Sequence, residues 1–349
     1  MRKQAAVRAI AITAFGPPER FTLFDLPSPE VAVDGVLIRV EAAGVGPWDT
    51  LRRAGNLDPT SAIFPLVLGW EAAGVLEAVG ADVSSAGRLQ VGDAVYTYSR
   101  EGGSGAYAEI LKVPAAAVAG KPTSQSFEQA AALPVNAISA HQALIEDLGI
   151  DLRLDGSGDP RSILITGAAG GAGHLAVQLA AAAGLQVICT AGAANHEYVR
   201  GLGAAAVIDY VSCSVPDGVR AILPDGVDLL YDTVGGQALD DALSCVRDSG
   251  VATTLVTGSQ PPQPGRGITV HTVSSRPEAS RLEELARLID AGHLKVTLQH
   301  TYPLERAADA HRESERGHVR GKLVLRVAHA DTSSVAATRQ PVKELKVHV

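Results

Sequence analysis

The sequence contains few cysteines and few aromatic residues. Three cysteines occur among 349 residues, and Phe, Trp and Tyr together make up 4% of the chain. Cys189, Cys213 and Cys245 lie far apart, without the close spacing of a metal site or the density of a disulfide framework. Free thiols are typical of a reducing compartment, so we predict a cytoplasmic protein without structural disulfides.

Long hydrophobic runs and an excess of positive charge are also missing. No apolar stretch approaches the roughly 18 residues of a membrane span, and Arg8 interrupts the stretch after Lys3, so we expect no signal peptide. The formal net charge of −8 argues against nucleic acid or an anionic membrane as a partner. The length is sufficient for two domains, each large enough for its own core. We expect the partner to be a small-molecule substrate.

The most informative stretch is residues 163–183, ILITGAAGGAGHLAVQLAAAA. An apolar strand, a glycine-rich turn and a helix with a face of small residues form the start of a βαβ unit. Free N–H groups at a helix start suit a pyrophosphate. The spacing G-x-x-G-x-x-G is only moderately specific, and an ordinary strand-to-helix turn remains an alternative. The predicted phosphate-binding residues are Gly167, Ala168, Ala169, Gly170, Gly171, Ala172 and Gly173.

The end of the following strand lacks an acidic residue. About twenty residues beyond the central glycine, an NAD site usually carries an acid that binds the ribose hydroxyls. Here the chain reads Thr190, Ala191, Gly192, and the first acid is Glu197. A carboxylate would repel a 2′-phosphate, so its absence favours NADP(H) over NAD(H).

The order of the elements predicts an α/β fold with a doubly wound parallel sheet. Strands and helices alternate after the glycine loop, whereas residues 5–111 look all-β, and residues 130–148 look helical with a break or a helix start at Pro134. Ser126 resembles a helix cap. Ligands bind at the carboxyl ends of parallel strands. The cofactor-binding candidates there are Asp232, Thr233, Val234, Thr257 and Gly258.

Several motifs together resemble the medium-chain dehydrogenase/reductase superfamily, and specifically its zinc-free, quinone-oxidoreductase-like (zeta-crystallin-like) branch. The motifs are AAGVGPWDTLRRAG (42–55), FPLVLGWEAAGVLEAVG (64–80), VGDAVY (91–96), GAYAEI (105–110), ALPVNAISAHQAL (132–144), TGAAGGAG (166–173), VIDY (207–210), DTVGG (232–236) and GKLVL (321–325). The resemblance covers roughly residues 5–327. It implies a Rossmann domain (131–270) inserted in a mainly β, GroES-like catalytic domain (1–130 and 271–327), followed by a polar tail (328–349), with the active site between the domains.

The resemblance also implies further cofactor contacts. Tyr210 corresponds to a tyrosine that packs near the adenosine 2′-phosphate in similar enzymes. Asn195 and His196 occupy the loop where relatives present a lysine or asparagine to that phosphate, and the missing lysine weakens the argument for NADP(H) without reversing it. Lys322 follows Gly321 in a pair that relatives place near the cofactor, although a solvated lysine is the alternative.

The residues argue against a catalytic metal. Zinc-dependent relatives carry a cysteine and a histidine at the positions of Gly46 and Trp70, and neither residue present here ligates zinc. Quinone reductases usually carry Asn at the Gly46 position and often Tyr at the Leu51 position. The absence of these two polar side chains predicts a wider and more apolar wall of the substrate pocket. The substrate-pocket candidates are Gly46, Pro47, Trp48, Leu51, Trp70 and Asn136.

Two other polar residues have structural interpretations. Asp49 is expected to pair with Arg53 or with a backbone amide. His174 is expected to face the sheet edge or solvent rather than to take part in chemistry.

These observations predict an NADPH-dependent reductase of a conjugated enone or quinone-like substrate, bulky and apolar in character and resembling a polyketide. No proton donor can be named from the residues. Two alternatives remain: a 2-enoyl-thioester reductase, and a catalytically silent NADPH-binding protein. The last Rossmann strand, residues 268–273 (ITVHTV), has no internal Lys, Arg, Asp, Glu or proline, and relatives commonly dimerise through this edge, so we expect a homodimer.

Overall fold

Three β-sheets and their flanking helices make up the computed structural model, which describes residues 6–100, 105–152, 159–256 and 264–329. The strands are β1 Ala6–Ile12, β2 Thr22–Pro27, β3 Gly35–Val45, β4 Leu66–Val67, β5 Glu71–Val79, β6 Ala94–Tyr98, β7 Ile110–Pro114, β8 Val118–Gly120, β9 Ser162–Ile165, β10 Gln186–Thr190, β11 Ala206–Ile208, β12 Val227–Asp232, β13 Val246–Thr254, β14 Thr269–Thr272, β15 Leu298–Pro303 and β16 Lys322–Arg326. The helices are α1 Pro47–Ala54, α2 Ala81–Ala86, α3 Phe127–Ala131, α4 Pro134–Gln142, α5 Gly173–Ala182, α6 His196–Gly201, α7 Val215–Ile222, α8 Gly236–Ser244, α9 Ala279–Asp290 and α10 Ala307–Arg316.

The β-rich domain is built from both ends of the chain. Its seven-stranded sheet runs β15-β16-β3-β5-β6-β8, with β7 paired to β3. Strand β16, close to the C-terminal end of the described chain, lies antiparallel to β3, with Leu323 opposite Val45. A smaller sheet, β2-β1-β4, is antiparallel. This arrangement confirms the GroES-like architecture that the motifs imply.

The second domain contains a six-stranded sheet in the order β11-β10-β9-β12-β13-β14, with every pair parallel. Strand β9 lies at its centre, with β10 on one side and β12 on the other. The chain order therefore reverses at β9, and the carboxyl ends of β9, β10 and β12 meet at the switch point where such sheets bind ligands. The predicted doubly wound fold is confirmed.

One hydrophobic cluster extends across both domains, and a second lies within the β-rich domain. Leu175 and Leu179 of α5 cluster with Leu282 and Leu285 of α9, and the same cluster extends to Val324 in the β-rich domain. Many of its members are alanines, which let helices approach closely. A separate cluster covers the other face of the parallel sheet. The shared core fixes the relative position of the two domains.

The prediction for residues 5–111 is wrong in one respect, because the segment includes α1 and α2. Helix α1 begins with Pro47 at its first position and ends at Gly55, whose φ of 83° suits a glycine cap. A helix of eight residues is too short to produce clear periodicity. Residues 130–148 do break near Pro134, which starts α4, and Ser126 forms the expected capping box with Gln129.

Candidate functional site

The glycine-rich loop after β9 has the shape that close approach of a ligand requires. Gly167 has a φ of +60°, and a Cβ on it would lie 2.5 Å from Thr233 Oγ1. A Cβ on Gly173 would lie 2.3 Å from the carbonyl oxygen of Gly167. Only glycine fits these two positions, because any side chain would push the loop away from the helix start. Gly167 and Gly173 are therefore needed for the loop and the start of α5 to pack this closely.

Helix α5 starts directly behind this loop. Its N-cap residue, Ala172, supplies no side-chain hydrogen bond to the first turn, so the capping role is left to a ligand or to water. The positive end of the helix dipole also points there. A dinucleotide pyrophosphate therefore fits this loop. Asn136 lies beside it, since a Cβ on Gly171 would stand 2.8 Å from Asn136 Nδ2.

Asp232 shapes the neighbouring turn, and its carboxylate is occupied internally. Its side chain is fully buried and accepts hydrogen bonds from the hydroxyls of Thr166 (2.6 Å) and Thr254 (2.8 Å) and from Gly235 N (2.9 Å). We expected Asp232 to bind cofactor, but these partners leave it the role of holding the loop that carries Thr233 and Val234. Thr257 and Gly258 lie outside the described residues.

The end of β10 forms the candidate site for the adenosine. Thr190 is buried, and its hydroxyl accepts from Gly167 N at 3.3 Å. Ala191 continues the strand through a hydrogen bond to Ile208 O. Tyr210 is 45% exposed, and its hydroxyl lies 3.9 Å from the point where a Cβ on Gly192 would be. The structure therefore brings Tyr210 to the acid-free turn, as the resemblance implies.

A cation that we did not predict lies beside this turn. Arg320 Nε donates to Asn195 Oδ1 (2.6 Å), its Nη2 donates to Ala194 O (3.0 Å), and its guanidinium lies 5.2 Å from the ring centre of Tyr198. His196 instead points its Nε2 at Ala191 O (3.0 Å). Arg320 comes from the segment before β16, 125 residues from Asn195, so no local sequence signal connects the two.

Two half-buried tryptophans of the β-rich domain, Trp48 and Trp70, stack on each other, and we call this pair the tryptophan wall. The rings of Trp48 and Trp70 are nearly parallel, at 9°, with centroids 6.2 Å apart. The Lys322 ammonium lies 4.7 Å from the Trp48 ring centre, and the Arg100 guanidinium lies 5.0 Å from that of Trp70. Each indole of the pair therefore has its own cation within cation–π distance.

Gly46 is required by the position of the Trp48 indole. A Cβ on Gly46 would lie 2.3 Å from Trp48 Cζ2, well inside the van der Waals limit. The indole thus fills the space next to residue 46, where zinc-dependent relatives would place a ligand. Pro47 and Leu51 lie on the exposed side of α1, and Leu51 is 45% exposed. The apolar wall consists mainly of the two indoles.

Asp49 holds the two tryptophan-bearing segments together. Its Oδ2 accepts from Gly46 N (3.0 Å) and its Oδ1 from Gly69 N (3.2 Å), so one carboxylate binds the turns before Trp48 and Trp70. Complete burial, with a smaller effect of nearby Glu71, raises the pKa of Asp49 to about 7. The predicted pairing with a backbone amide is confirmed.

Arg53 does not bind Asp49. It forms an ion pair with Glu315 and donates to Gly16 O at 2.9 Å. The alternative pairing that we considered from the sequence is therefore excluded.

Lys322 is a buried partner of Glu71 rather than a solvated residue. The two side chains are 3% and 0% exposed, and Nζ lies 2.5 Å from Glu71 Oε1. The other oxygen of Glu71 accepts from Val135 N at the start of α4 (2.9 Å). The ion pair therefore joins β16, β5 and the first turn of α4 under the tryptophan wall. The alternative of a solvated lysine is therefore wrong, and the contact of Lys322 with the cofactor stays a prediction.

His174 is fully buried, so the expectation that it faces the sheet edge or solvent is also wrong. Its Nδ1 lies 2.9 Å from Gly170 O, and its Nε2 lies 3.4 Å from Thr297 N. Because the Thr297 amide can only donate, Nε2 accepts and the ring proton is on Nδ1. Burial lowers the pKa of His174 to about 4, so the ring is neutral at physiological pH.

Two searches of the described ranges gave negative results. No group of three or more His, Cys, Asp or Glu side chains in residues 6–100, 105–152, 159–256 and 264–329 is arranged to hold a metal ion. Over the same ranges, no helix has the length and apolar character needed to cross a membrane.

Comparisons with known proteins agree with this architecture. Residues 33–123 match the family model described as an alcohol dehydrogenase GroES-like domain, and residues 202–325 match the model described as a zinc-binding dehydrogenase. A chloroplastic quinone-oxidoreductase homolog from Spinacia oleracea is 31% identical over 307 residues, covering 85% of this chain and 91% of the relative.

A second relative, the chloroplastic NADPH-dependent alkenal/one oxidoreductase from Arabidopsis thaliana, is 34% identical over 307 residues, covering 85% of this chain and 73% of its own length. Among solved structures, the quinone oxidoreductase from Coxiella burnetii superposes with a TM-score of 0.81 at 29% identity, covering 93% of this chain and all of the other.

Proposed function

The chain belongs to the medium-chain dehydrogenase/reductase superfamily, in its quinone-oxidoreductase-like branch, and from this premise we propose that it is an NADPH-dependent reductase of conjugated enones or quinone-like compounds. The observation that carries the proposal is that two consecutive residues contact both candidate surfaces: Gly321 N donates to Ala169 O of the glycine loop (2.8 Å), and the Lys322 ammonium lies 4.7 Å from the ring centre of Trp48. A relative named NADPH-dependent alkenal/one oxidoreductase supports the same reaction class.

NADP(H) is the proposed cofactor, and when bound it supplies the hydride. Residues 167–173 would hold the pyrophosphate against the start of α5. Arg320 and Tyr210 border the acid-free turn and would receive the 2′-phosphate, because a guanidinium binds phosphate oxygens through strong charge-assisted hydrogen bonds. Arg320 thereby replaces the lysine that this loop lacks.

We propose that the reaction proceeds without zinc. The two ligand positions hold Gly46 and Trp70, and the Trp48 indole fills the space next to residue 46. Without a Lewis acid to polarise a simple ketone, the easiest acceptor is a conjugated C=C or a quinone, whose own carbonyl receives the developing charge. An acceptor of this kind needs less help from the protein than an isolated carbonyl does.

The chain's own contribution is mainly orientation and exclusion of water. The indoles of Trp48 and Trp70 provide a flat apolar surface, and Asp49 fixes both turns that carry them. Such a surface favours a bulky, planar, apolar substrate. Asn136, beside Gly171, stays a predicted contact of the nicotinamide carboxamide or of the substrate.

The direct test is oxidation of NADPH with a panel of enones, quinones, enoyl thioesters and simple ketones. We expect turnover with enones or quinones and none with simple ketones. Trp70→Ala should raise KM for bulky acceptors more than for small ones, whereas Trp70→Phe, which keeps an aromatic face, should have a smaller effect. Preferred turnover of enoyl thioesters would establish that alternative, and NADPH binding without any turnover would establish a silent binding protein.

We also propose a homodimer joined at β14, which is the edge strand of the parallel sheet. Among the residues that the structure describes, β14 pairs only with β13, so the backbone groups on its other side could pair with a second copy. A cytoplasmic location stays a prediction from the sequence.

A further inference from the structure

A chain of hydrogen bonds links the glycine loop to the buried lysine under the tryptophan wall. From the loop, Ala169 O accepts from Gly321 N (2.8 Å), and Gly170 O faces His174 Nδ1 (2.9 Å). From the other side, Thr297 N donates to His174 Nε2 (3.4 Å), and Thr297 O accepts from Lys322 N (2.9 Å). We call this set, Ala169, Gly170, His174, Thr297, Gly321 and Lys322, the joint.

The joint belongs to both domains. Ala169, Gly170 and His174 come from the loop and from α5 in the Rossmann domain, whereas Thr297, Gly321 and Lys322 come from the part of the chain that forms β15 and β16. A Cβ on Gly321 would lie 2.1 Å from Thr297 O, so the two segments are in tight contact. Any shift of one segment must therefore be transmitted to the other or break a hydrogen bond.

We propose that His174 is a positioning residue that couples the cofactor-binding loop to Lys322 and, through it, to the Trp48 face of the cleft. This inference rests on the proposed function, since it takes the loop to be the NADPH site. A peptide plane has its C=O and the next N–H pointing in opposite directions. The Gly170 carbonyl accepts from the backbone N–H of His174 (3.0 Å) and from the ring at Nδ1 (2.9 Å), so the ring adds a second donor that fixes the direction of the Gly171 amide at the start of α5.

The other side of the ring acts on Lys322. His174 Nε2 accepts from Thr297 N, and the carbonyl of Thr297 binds the Lys322 amide, so the position of β16 depends on the ring. The Lys322 ammonium, in turn, binds Glu71 and lies over Trp48. The neutral ring, with one donor and one acceptor, is the form that satisfies both neighbours at once.

Three substitutions separate the two functions of the ring. His174→Asn can still donate to Gly170 O but is too short to reach Thr297. His174→Gln can extend an amide oxygen to Thr297 N but does not reproduce the donor at Nδ1. His174→Phe keeps the ring shape and loses both bonds. Gln178→Leu is the matched control. Gln178 also joins α5 to the segment before β15, because its Oε1 accepts from Lys295 N (2.8 Å) and its Nε2 donates to Lys295 O (2.9 Å), but it does not touch the glycine loop.

Tryptophan emission provides two readouts that do not depend on turnover. Both tryptophans of the chain line the cleft, so the emission of the free protein reports on the Lys322 contact, and energy transfer to bound NADPH reports on affinity. We expect His174→Phe to weaken NADPH binding about tenfold and to change the emission of the free protein. His174→Asn should bind NADPH almost as tightly as the wild type but show the altered emission of His174→Phe. His174→Gln should show nearly wild-type emission but bind NADPH as weakly as His174→Phe.

Gln178→Leu should lower the thermal midpoint while keeping both optical signals close to those of the wild type. The proposal is overturned if a folded His174→Phe protein keeps wild-type affinity and emission, or if Gln178→Leu reproduces its losses. Should the wild-type protein show no energy transfer to NADPH, the proposed function fails instead, and the emission of the free protein still tests the joint.

Discussion

A second buried histidine, His311, should give the fold a measurable sensitivity to acid. His311 is fully buried between α1 and the β-rich sheet. Arg53 Nη1 lies 3.2 Å from its Nδ1, and Tyr107 Oη lies 3.0 Å from its Nε2. Because a guanidinium only donates, Nδ1 must accept and the ring proton is on Nε2. A second ring proton would point at the Arg53 cation.

Burial, followed by the charge of Arg53, lowers the pKa of His311 to about 3. An unfolded chain binds this proton near pH 6.5. The contribution of His311 to stability is therefore complete above pH 6.5 and is lost as the pH falls toward 3. One bound proton corresponds to about 1.4 kcal/mol per pH unit, but the unfolded histidine is only half-protonated at pH 6.5, so acidification from pH 6.5 to 4.5 should remove about 2.3 kcal/mol through this residue.

The assay compares wild type with His311→Gln, whose neutral side chain has no such proton. The free energy of unfolding is measured by denaturant titration at several pH values between 7 and 4.5. We expect the wild-type value to fall by about 2.5 kcal/mol more than that of the variant between pH 7 and 4.5. The raised pKa of Asp49 has the opposite effect, since it increases the free energy of unfolding as the pH falls. This contribution is the same in both proteins and cancels in the comparison.

Parallel pH dependence in the two proteins would refute this reasoning. If His311→Gln does not fold, the ring resonances of His311 in the wild-type protein provide the same test. They should show no titration between pH 7 and 5, and a midpoint near 6.5 would contradict the assigned burial and tautomer.

Three further predictions follow from the candidate site and the sheet edge. Arg320→Ala should weaken NADPH binding about tenfold and leave NADH binding unchanged, with the exposed Arg316→Ala as control; equal losses for both cofactors would exclude a role in 2′-phosphate recognition. Activity should survive prolonged chelation, and elemental analysis that finds one tightly held zinc per chain would contradict the filled ligand position at Gly46. Thr269→Pro removes a ladder donor from β14 and should convert a dimer to a monomer with NADPH binding retained, whereas a wild-type monomer in light scattering would reject the proposed interface.

The fold could be predicted because its signals are local. The central parallel strands β9, β10 and β12 are short and largely apolar, and the glycine loop identifies the first βα turn. Both signals can be read without knowledge of any distant contact. Helix α1 was missed because its eight residues interrupt a region rich in strands. Pro47 and Gly55 mark its two ends, but without a periodic apolar pattern between them they also fit a turn.

The errors at the site concern polar residues whose partners are far away in the chain. His174 lies 123 residues from Thr297, and Lys322 lies 251 residues from Glu71. A histidine or lysine is normally exposed unless paired, so the sequence alone favours the sheet edge or solvent for His174 and leaves solvent as the alternative for Lys322. Arg320 was missed for the same reason, since only the folded chain brings it to Asn195.

The substitutions at the zinc positions also depend on one another. Trp48 can lie where it does only because residue 46 has no side chain, and Asp49 holds Gly46 and Gly69 in the register that stacks Trp48 on Trp70. Restoring a cysteine at position 46 alone would place its Cβ 2.3 Å from the indole and displace the wall rather than create a ligand. The apolar wall is therefore one structural unit, and a change of chemistry at this site requires the glycine and both tryptophans to change together.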